Sequence, residues 1–122
     1  MFGTDIEKCD DSKKEILKKI ISLEEIEMFD DIHIDLVEKL TNVWAAKEAL
    51  SKCLKTGINV DLKILKINKI EATEYQIRGD FLHFPQYNFL TFKQDNCIIA
   101  IAFPKNLEFQ LDTANFTKIP FG

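Results

Sequence analysis

The sequence predicts an α+β fold in which an N-terminal hairpin of two helices packs on a C-terminal antiparallel, curved meander of four to six β-strands. Apolar residues recur at helical spacing before Gly57 and alternate as in strands after it. The connections between the predicted strands are only a few residues long, which favours antiparallel pairing. The length of 122 residues suits a single domain spanning 1–122.

The two helices are predicted over about residues 12–28 and 31–56. Ser12 and Glu15 form the pattern of a capping box, in which each side chain satisfies a free backbone donor at a helix start. Asp30 or Asp31 is suited to cap the second helix, and Gly57 follows its last turn, as expected for a helix end. Both helices carry an apolar stripe, so we expect each to pack against the sheet.

The strands are predicted over about residues 58–70, 75–84, 87–93, 97–103 and 107–112. The apolar set of the first strand changes parity after Ile64, which indicates a bulge. The segment from Cys97 to Phe103 has no polar face, so we expect a central strand with both faces covered. A second molecule or the curvature of the sheet could cover the face that carries Ile98 and Ala100.

Composition and the N-terminus predict a cytoplasmic protein. The start is acidic and lacks the basic and apolar regions of a signal peptide, and no apolar run is long enough to span a membrane. Cys9, Cys53 and Cys97 are widely spaced, which predicts reduced structural thiols rather than a zinc site. The four glycines are too scattered for a phosphate loop. We therefore expect no metal and no cofactor.

Charge is distributed unevenly along the chain. Residues 1–38 contain twelve acidic and five basic side chains, and no Lys or Arg lies between Ile20 and Glu38. These acids, with two apolar neighbours, predict a partner-binding acidic corner that consists of Glu24, Glu25, Glu27, Phe29, Asp30, Asp31, Ile32, Asp35 and Glu38. The overall negative charge disfavours nucleic acid as a partner.

The function predicted from this corner is that of a non-enzymatic inhibitor. An immunity or antitoxin-type protein could neutralise a basic, nuclease-like toxin by placing acidic side chains where the toxin binds phosphates. Complementary charge would speed association, and Phe29 and Ile32 would supply apolar contact. The expected partner is therefore a basic protein, with no catalytic residues and no membrane involved.

Two alternatives depend on the sheet. A curved sheet of the cystatin-like or nuclear-transport-factor-like kind could enclose a pocket for an enzyme or ligand carrier, with His83 and Asp80 as base and orienting group beside Tyr75 and Arg78. A secretion-chaperone-like homodimer could instead use the apolar face around Ile98 and Ala100 as its subunit contact.

Overall fold

The computed structural model describes residues 2–29, 32–54, 62–73 and 75–110. Its strands are β1 (Gly3–Lys8), β2 (Ile67–Ala72), β3 (Ile77–Phe81), β4 (Tyr87–Gln94) and β5 (Cys97–Pro104). Its α-helices are α1 (Lys14–Ile20), α2 (Leu23–Glu27) and α3 (Leu36–Leu54). The α+β class is confirmed.

The strands form one antiparallel sheet in the order β1-β5-β4-β3-β2. Strands β2 to β5 follow one another as a meander, and β1 pairs with β5 at the far edge. In register, Asp5 lies opposite Ala100, and Ala100 lies opposite Thr91. The N-terminal strand therefore becomes a direct neighbour of the last strand of the meander.

The N-terminal half differs from the predicted helical hairpin, because the chain begins with a strand. The first predicted helix is also divided into a 3-10 turn (Asp11–Lys13) and the short helices α1 and α2. Ser22 is extended between these helices, and its side chain and that of Glu25 form a capping box that starts α2. The box predicted at Ser12 is absent, since the Asp10 carboxylate accepts the hydrogen bond from Ser12 N–H instead.

Other boundaries also differ. The second helix starts at Leu36, because Asp35 Oδ1 accepts a hydrogen bond from Glu38 N–H at 2.8 Å and so caps α3. Residues 62–65 form a 3-10 helix before β2, and the register shift lies between Ile67 and Lys69. Lys105–Gln110 is a 3-10 helix where a strand was predicted. The predicted helix end at Gly57 and the first part of the predicted strand 58–70 lie outside the described residues.

Helix α3 covers one face of the sheet, here called the inner face. Ala45, Ala46 and Ala49 of α3 are fully buried, and their small side chains let the helix approach the strands closely. The approach is tightest at Gly3, where a Cβ atom would overlap the backbone oxygen of Ala49. A second buried cluster occupies the opposite, outer face and consists of Leu90, Phe92, Ile99, Ile101 and Phe103.

The fold leaves Cys9, Cys53 and Cys97 as free thiols, as the sequence predicts. Among the described residues, no helix combines the length and the apolar character that crossing a membrane would need. The single-domain organisation over 1–122 stays a prediction.

Replacing Gly3 with Ala should lower the free energy of unfolding by about 1–3 kcal/mol, because overpacking at a backbone contact forces the two elements apart. Thermal unfolding measures this loss. Thr4→Val is the matched control, since Thr4 is exposed on the other side of β1. A Gly3→Ala variant that melts like the control would contradict the close contact between β1 and α3.

Candidate functional site

Two acidic side chains of β1 lie on the inner face of the sheet, beneath α3. Side chains alternate between the faces of a strand, so Asp5 and Glu7 lie on the same side as Gly3. Asp5 is only 7% exposed, and Glu7 is partly buried. The close contact at Gly3 thus holds two carboxyl groups against the helix.

Asp5 forms an ion pair with Lys52 in the last turn of α3. Lys52 Nζ donates to Asp5 Oδ1 at 2.7 Å. The Asp5 side chain is 6% exposed, whereas that of Lys52 is 54% exposed, so the pair has a buried end and a solvent end. Asp5 Oδ2 is buried and has no hydrogen-bond donor among the described residues. This oxygen is therefore available to a proton or a cation.

Glu7 and Glu48 lie close enough to Asp5 to titrate abnormally. Burial, with the hydrogen bond that protonated Glu7 can donate to Asp5 and the negative charge of Asp5, raises the pKa of Glu7 from 4.5 to about 7. Burial and the charge of Asp5 also raise the pKa of Glu48, although Lys52 opposes this. Like charges in a poorly solvated site disfavour simultaneous ionisation. A proton on Glu7 would supply the hydrogen bond that Asp5 Oδ2 lacks.

These residues form what is called here the carboxylate cluster, which consists of Asp5, Glu7, Glu48 and Lys52. Strand β1 and helix α3 supply two residues each, and the pairing is possible only because the two elements touch at Gly3. In the described part of the chain, no group of three or more His, Cys, Asp or Glu side chains could by itself hold a metal ion. The cluster is thus an acidic site with one lysine, and any cation bound there would need ligands from elsewhere.

Replacing Glu7 with Gln should raise the melting temperature of the protein in EDTA, and by more at pH 8 than at pH 5. Burial and Asp5 raise the pKa of folded Glu7 from 4.5 to about 7. Stability from its protonation is therefore complete below about pH 4.5 and is lost as the pH rises through about 7. Gln does not titrate. Glu27→Gln, at an exposed acid, is the control. Equal shifts at both pH values would refute the raised pKa.

The predicted acidic corner is partly buried in the fold. Glu25 is 1% exposed and forms an ion pair with Lys47 at 2.9 Å, and Phe29 is completely buried. Neither side chain can contact a partner, so the prediction is wrong for both. The sequence signal was misleading because an acid near a helix start can cap the helix and pair internally as well as face solvent.

The remaining corner residues do not form one continuous free surface. Glu24 and Glu38 each form an ion pair with a lysine, at 2.7 Å in both cases. Asp35 caps α3, Ile32 is half-buried, and Glu27 is exposed. Asp30 and Asp31 lie outside the described residues. The acids are therefore largely neutralised by cations and backbone donors of the same chain.

The predicted pair of His83 and Asp80 is not brought together as a base and its orienting group. Asp80 accepts hydrogen bonds from Asn68 Nδ2 at 3.1 Å and Lys105 Nζ at 3.4 Å. His83 is exposed after the end of β3, and Tyr75 is 70% exposed. A cleft of about 340 Å³ is lined by Asp80 and Arg78 but not by His83 or Tyr75. These residues give no support to the expected pocket chemistry.

The apolar face predicted as a dimer contact is covered within the chain. Ile98 and Ala100 are 1% and 0% exposed and belong to the core cluster that includes Leu50 of α3. Helix α3 thus supplies the cover that the sequence analysis assigned to curvature or to a second molecule.

All four members of the carboxylate cluster were missed as site residues in the sequence analysis. The available signal was the spacing of Asp5 and Glu7, which places two acids on one face if the segment is a strand. A second signal was the spacing of Glu48 and Lys52, which places opposite charges on one helix face. Both were hidden because the acidic N-terminus was not recognised as a strand.

Comparison with solved structures gives an independent view of the fold. The structure of Helicobacter pylori holo-[acyl-carrier-protein] synthase in complex with coenzyme A matches with a TM-score of 0.61 and 19% sequence identity. The match covers 86% of this chain and 100% of that chain. No curated protein matches the sequence. At this identity the structural match shows a shared fold.

The family comparison decides the class of protein. Residues 1–102, which include the carboxylate cluster, match the model of the 4′-phosphopantetheinyl transferase superfamily. The predictions of a non-enzymatic immunity or antitoxin-type inhibitor and of a basic toxin partner are therefore wrong, because the matched family consists of transferases. An acidic charge balance was a poor guide, since acids serve a catalytic site as readily as a binding surface. By its sequence, the chain belongs to the 4′-phosphopantetheinyl transferase superfamily.

Proposed function

We propose that this protein transfers the 4′-phosphopantetheinyl group of coenzyme A to a hydroxyl group of an acyl carrier protein, and that the carboxylate cluster is the active site. The observation that carries the proposal is the convergence of Asp5, Glu7, Glu48 and Lys52 on the inner face, within the family match. The similarity in fold to a synthase solved with coenzyme A supports this choice of donor and acceptor.

The reaction is a phosphoryl transfer at the diphosphate of coenzyme A. The acceptor oxygen forms a bond to the phosphorus on the pantetheine side, and the bond from that phosphorus to the bridging oxygen breaks. Adenosine 3′,5′-bisphosphate leaves with the electron pair, and the acceptor hydroxyl loses its proton. Catalysis of such a step depends on positioning and on stabilising negative charge.

Three carboxyl groups would repel the diphosphate, so this chemistry calls for a divalent cation such as Mg²⁺. The residues fit one: Asp5 Oδ2 is buried without a donor, and the pKa values of Glu7 and Glu48 are raised, as expected where negative charge is uncompensated. Mg²⁺ commonly takes one or two carboxylates, with waters and substrate phosphates as further ligands. Asp5 and Glu48 would hold the ion, which would neutralise charge on the phosphate oxygens when bound.

Glu7 is suited to accept the proton of the acceptor hydroxyl. A general base works best when its pKa lies near the pH at which the enzyme operates. Without a cation, burial and Asp5 raise the pKa of Glu7 to about 7. A cation on Asp5 would lower it again, so Glu7 would be ionised and able to accept a proton at neutral pH. An ordinary exposed glutamate is a much weaker base at the same pH.

Lys52 is suited to bind the leaving phosphate. Its side chain is 54% exposed, so Nζ can reach a ligand in solvent while it remains beside Asp5. The hydrogen bond from Lys52 to Asp5 raises the pKa of the amine, which keeps it charged at neutral pH. Further positive charge comes from exposed lysines of the neighbouring segment, and Lys13 is close enough to lower the pKa of Glu7. These cations favour approach of an anionic donor.

The proposal is tested by following release of adenosine 3′,5′-bisphosphate from coenzyme A in the presence of Mg²⁺ and an apo acyl carrier protein. We expect release to require both protein partners and the acceptor hydroxyl. A carrier variant without that hydroxyl is the control for hydrolysis of coenzyme A. Failure to release product with any of several apo carrier proteins would contradict the proposal.

The cytoplasmic location also stays a prediction, to be tested by fractionation of the source cells.

A further inference from the structure

A buried ion pair lies beside the carboxylate cluster without being part of it. Lys47 Nζ lies 3.0 Å from Glu25 Oε1 and 2.9 Å from Glu25 Oε2. The side chains of Lys47 and Glu25 are 3% and 2% exposed. Lys47 directly precedes Glu48 in α3, so the contacts that hold Lys47 in place also affect the position of the Glu48 carboxylate.

Glu25 connects three parts of the fold through its two oxygen atoms. Oε1 accepts hydrogen bonds from the backbone N–H and the hydroxyl of Ser22, at 3.1 and 3.0 Å. Oε2 accepts a hydrogen bond from Ile67 N–H at 3.0 Å. With Lys47 bound as well, Glu25 joins the start of α2, the middle of α3 and the first residue of β2. The Glu25 carboxylate thus ties one side of α3 to α2 and to β2.

We infer that Glu25 and Lys47 are positioning residues that set the rotation of α3 about its own axis and thereby place Glu48 and Lys52 against Asp5. This inference rests on the proposed function only for its effect on catalysis. The first half of α3 is held separately, where Thr91 Oγ1 donates to Asn42 Oδ1 at 2.5 Å. The Glu25–Lys47 pair is a polar tether directly beside Glu48 of the cluster.

The geometry explains why a small rotation matters. The side chains of an α-helix extend about 5–6 Å from its axis, so a rotation of about 10° moves a carboxylate by about 1 Å. A displacement of about 1 Å at reacting groups can cost as much as 10²-fold in rate. Neighbouring helix residues differ by about 100° in direction, so Lys47 can be tied to α2 while Glu48 faces β1.

Stability alone does not require an ion pair at this position. Well-packed apolar residues of similar volume often match or exceed the stability that a buried ion pair provides. An apolar pair, however, lacks the directed hydrogen bonds that join Glu25 to Ser22, Lys47 and Ile67. The expected consequence of such a replacement is a stable protein whose α3 is less well oriented.

The test compares Glu25→Leu/Lys47→Leu with a matched exposed pair, Glu24→Gln/Lys66→Gln. Glu24 and Lys66 join α2 to the residue before β2 at 2.7 Å, so the control removes a neighbouring link of the same charge type. Side-chain NMR signals of Asp5, Glu48 and Lys52 report their geometry without any assay. Backbone signals of Glu48 are not used, because replacing the adjacent Lys47 shifts them in any case. Thermal unfolding and the separate values of kcat and KM complete the comparison.

We expect the Leu pair to stay folded, to shift the NMR signals of the three cluster residues and to lower kcat by about 10–100-fold, with a much smaller change in KM. The control pair should leave both the signals and kcat within about twofold of wild type, since exposed pairs contribute little. If the Leu pair does not fold, Glu25→Asp, which keeps the charge but shortens the side chain, should shift the same signals.

Unchanged NMR signals of Asp5, Glu48 and Lys52 in the folded variant would overturn the positioning role, whatever the activity. A fall in kcat that is fully explained by a smaller fraction of folded protein would also overturn the positioning role. The absence of transfer by the wild-type protein would instead count against the proposed function. The NMR comparison still decides the positioning role in that case.

Discussion

Replacing Asp5 with Asn should lower kcat for 4′-phosphopantetheinyl transfer by about 10²–10³-fold, the usual cost of losing a preorganised electrostatic group. Asp5 is the centre of the cluster: it pairs with Lys52, raises the pKa of Glu7 and Glu48, and presents a buried oxygen without a donor. Asn keeps the shape but removes the charge that would hold a cation. The measurement is the rate of carrier modification at saturating coenzyme A.

The stability of the Asp5→Asn variant should stay close to that of wild type. Its partner Lys52 is half exposed and can be hydrated when the ion pair is lost, so little stability depends on the pair. Asp11→Asn, which makes the same change of charge at an exposed position, is the control for activity. If Asp5→Asn and Asp11→Asn transfer at similar rates, the active site lies elsewhere.

Replacing Glu25 with Ala should lower the free energy of unfolding by about 3–5 kcal/mol, because a buried charge is left without its partner. The Lys47 side chain is only 3% exposed and cannot be hydrated in place, and Ile67 N–H loses its acceptor. For a chain of this size we expect the melting temperature to fall by about 10–20 °C. Thermal and denaturant unfolding of the purified variant measure both quantities.

The loss of stability in Glu25→Ala should depend on pH in a definite direction. Burial opposes ionisation of Glu25, but the Ile67 and Ser22 hydrogen bonds and the charge of Lys47 outweigh it, so the pKa is lowered from 4.5. A lowered pKa contributes stability above about pH 4.5 that is lost as the pH falls through the folded value. The difference between wild type and Glu25→Ala should therefore shrink in acid. Glu24→Ala, at the exposed neighbour, is the control, and an equally small loss in both variants would contradict the account.

The sequence predicted best those elements whose local signals agree with their tertiary surroundings. The uniformly apolar segment at Cys97 is a strand buried on both faces, and the turn before it contains Asp95 at a φ of 56°. The antiparallel pairing of the strands was predicted from short connections of this kind. Helix α3 was recognised from its apolar stripe, although its start depended on a choice among several aspartates, of which Asp35 is the cap.

The elements predicted wrongly are those in which a tertiary contact decides the structure. Strand β1 is short and acidic, and it is stabilised by pairing with β5 and by the contact between Gly3 and α3. The first helix was predicted as continuous because its apolar residues keep a helical period, yet Ser22 begins a separate helix there. Local periodicity cannot reveal either contact.

The proposed active site could not be found from the sequence for the same reason. Asp5 and Glu48 are far apart along the chain and become neighbours only when β1 lies under α3. The acids between Ile20 and Glu38 were a stronger local signal. Several of them, however, cap helices or form ion pairs within the chain. A count of charges shows where acids are frequent, whereas catalysis depends on where a few of them are buried together.

The most direct test of the carboxylate cluster as a transferase active site is the intact mass of an apo acyl carrier protein after incubation with coenzyme A and Mg²⁺. With the wild-type protein, we predict a gain equal to one 4′-phosphopantetheinyl group per carrier. With Asp5→Asn, we predict that no more than about a few per cent of the carrier gains this mass over the same time. A carrier that stays unmodified by the wild-type protein, or that is modified equally by both, would contradict the assignment.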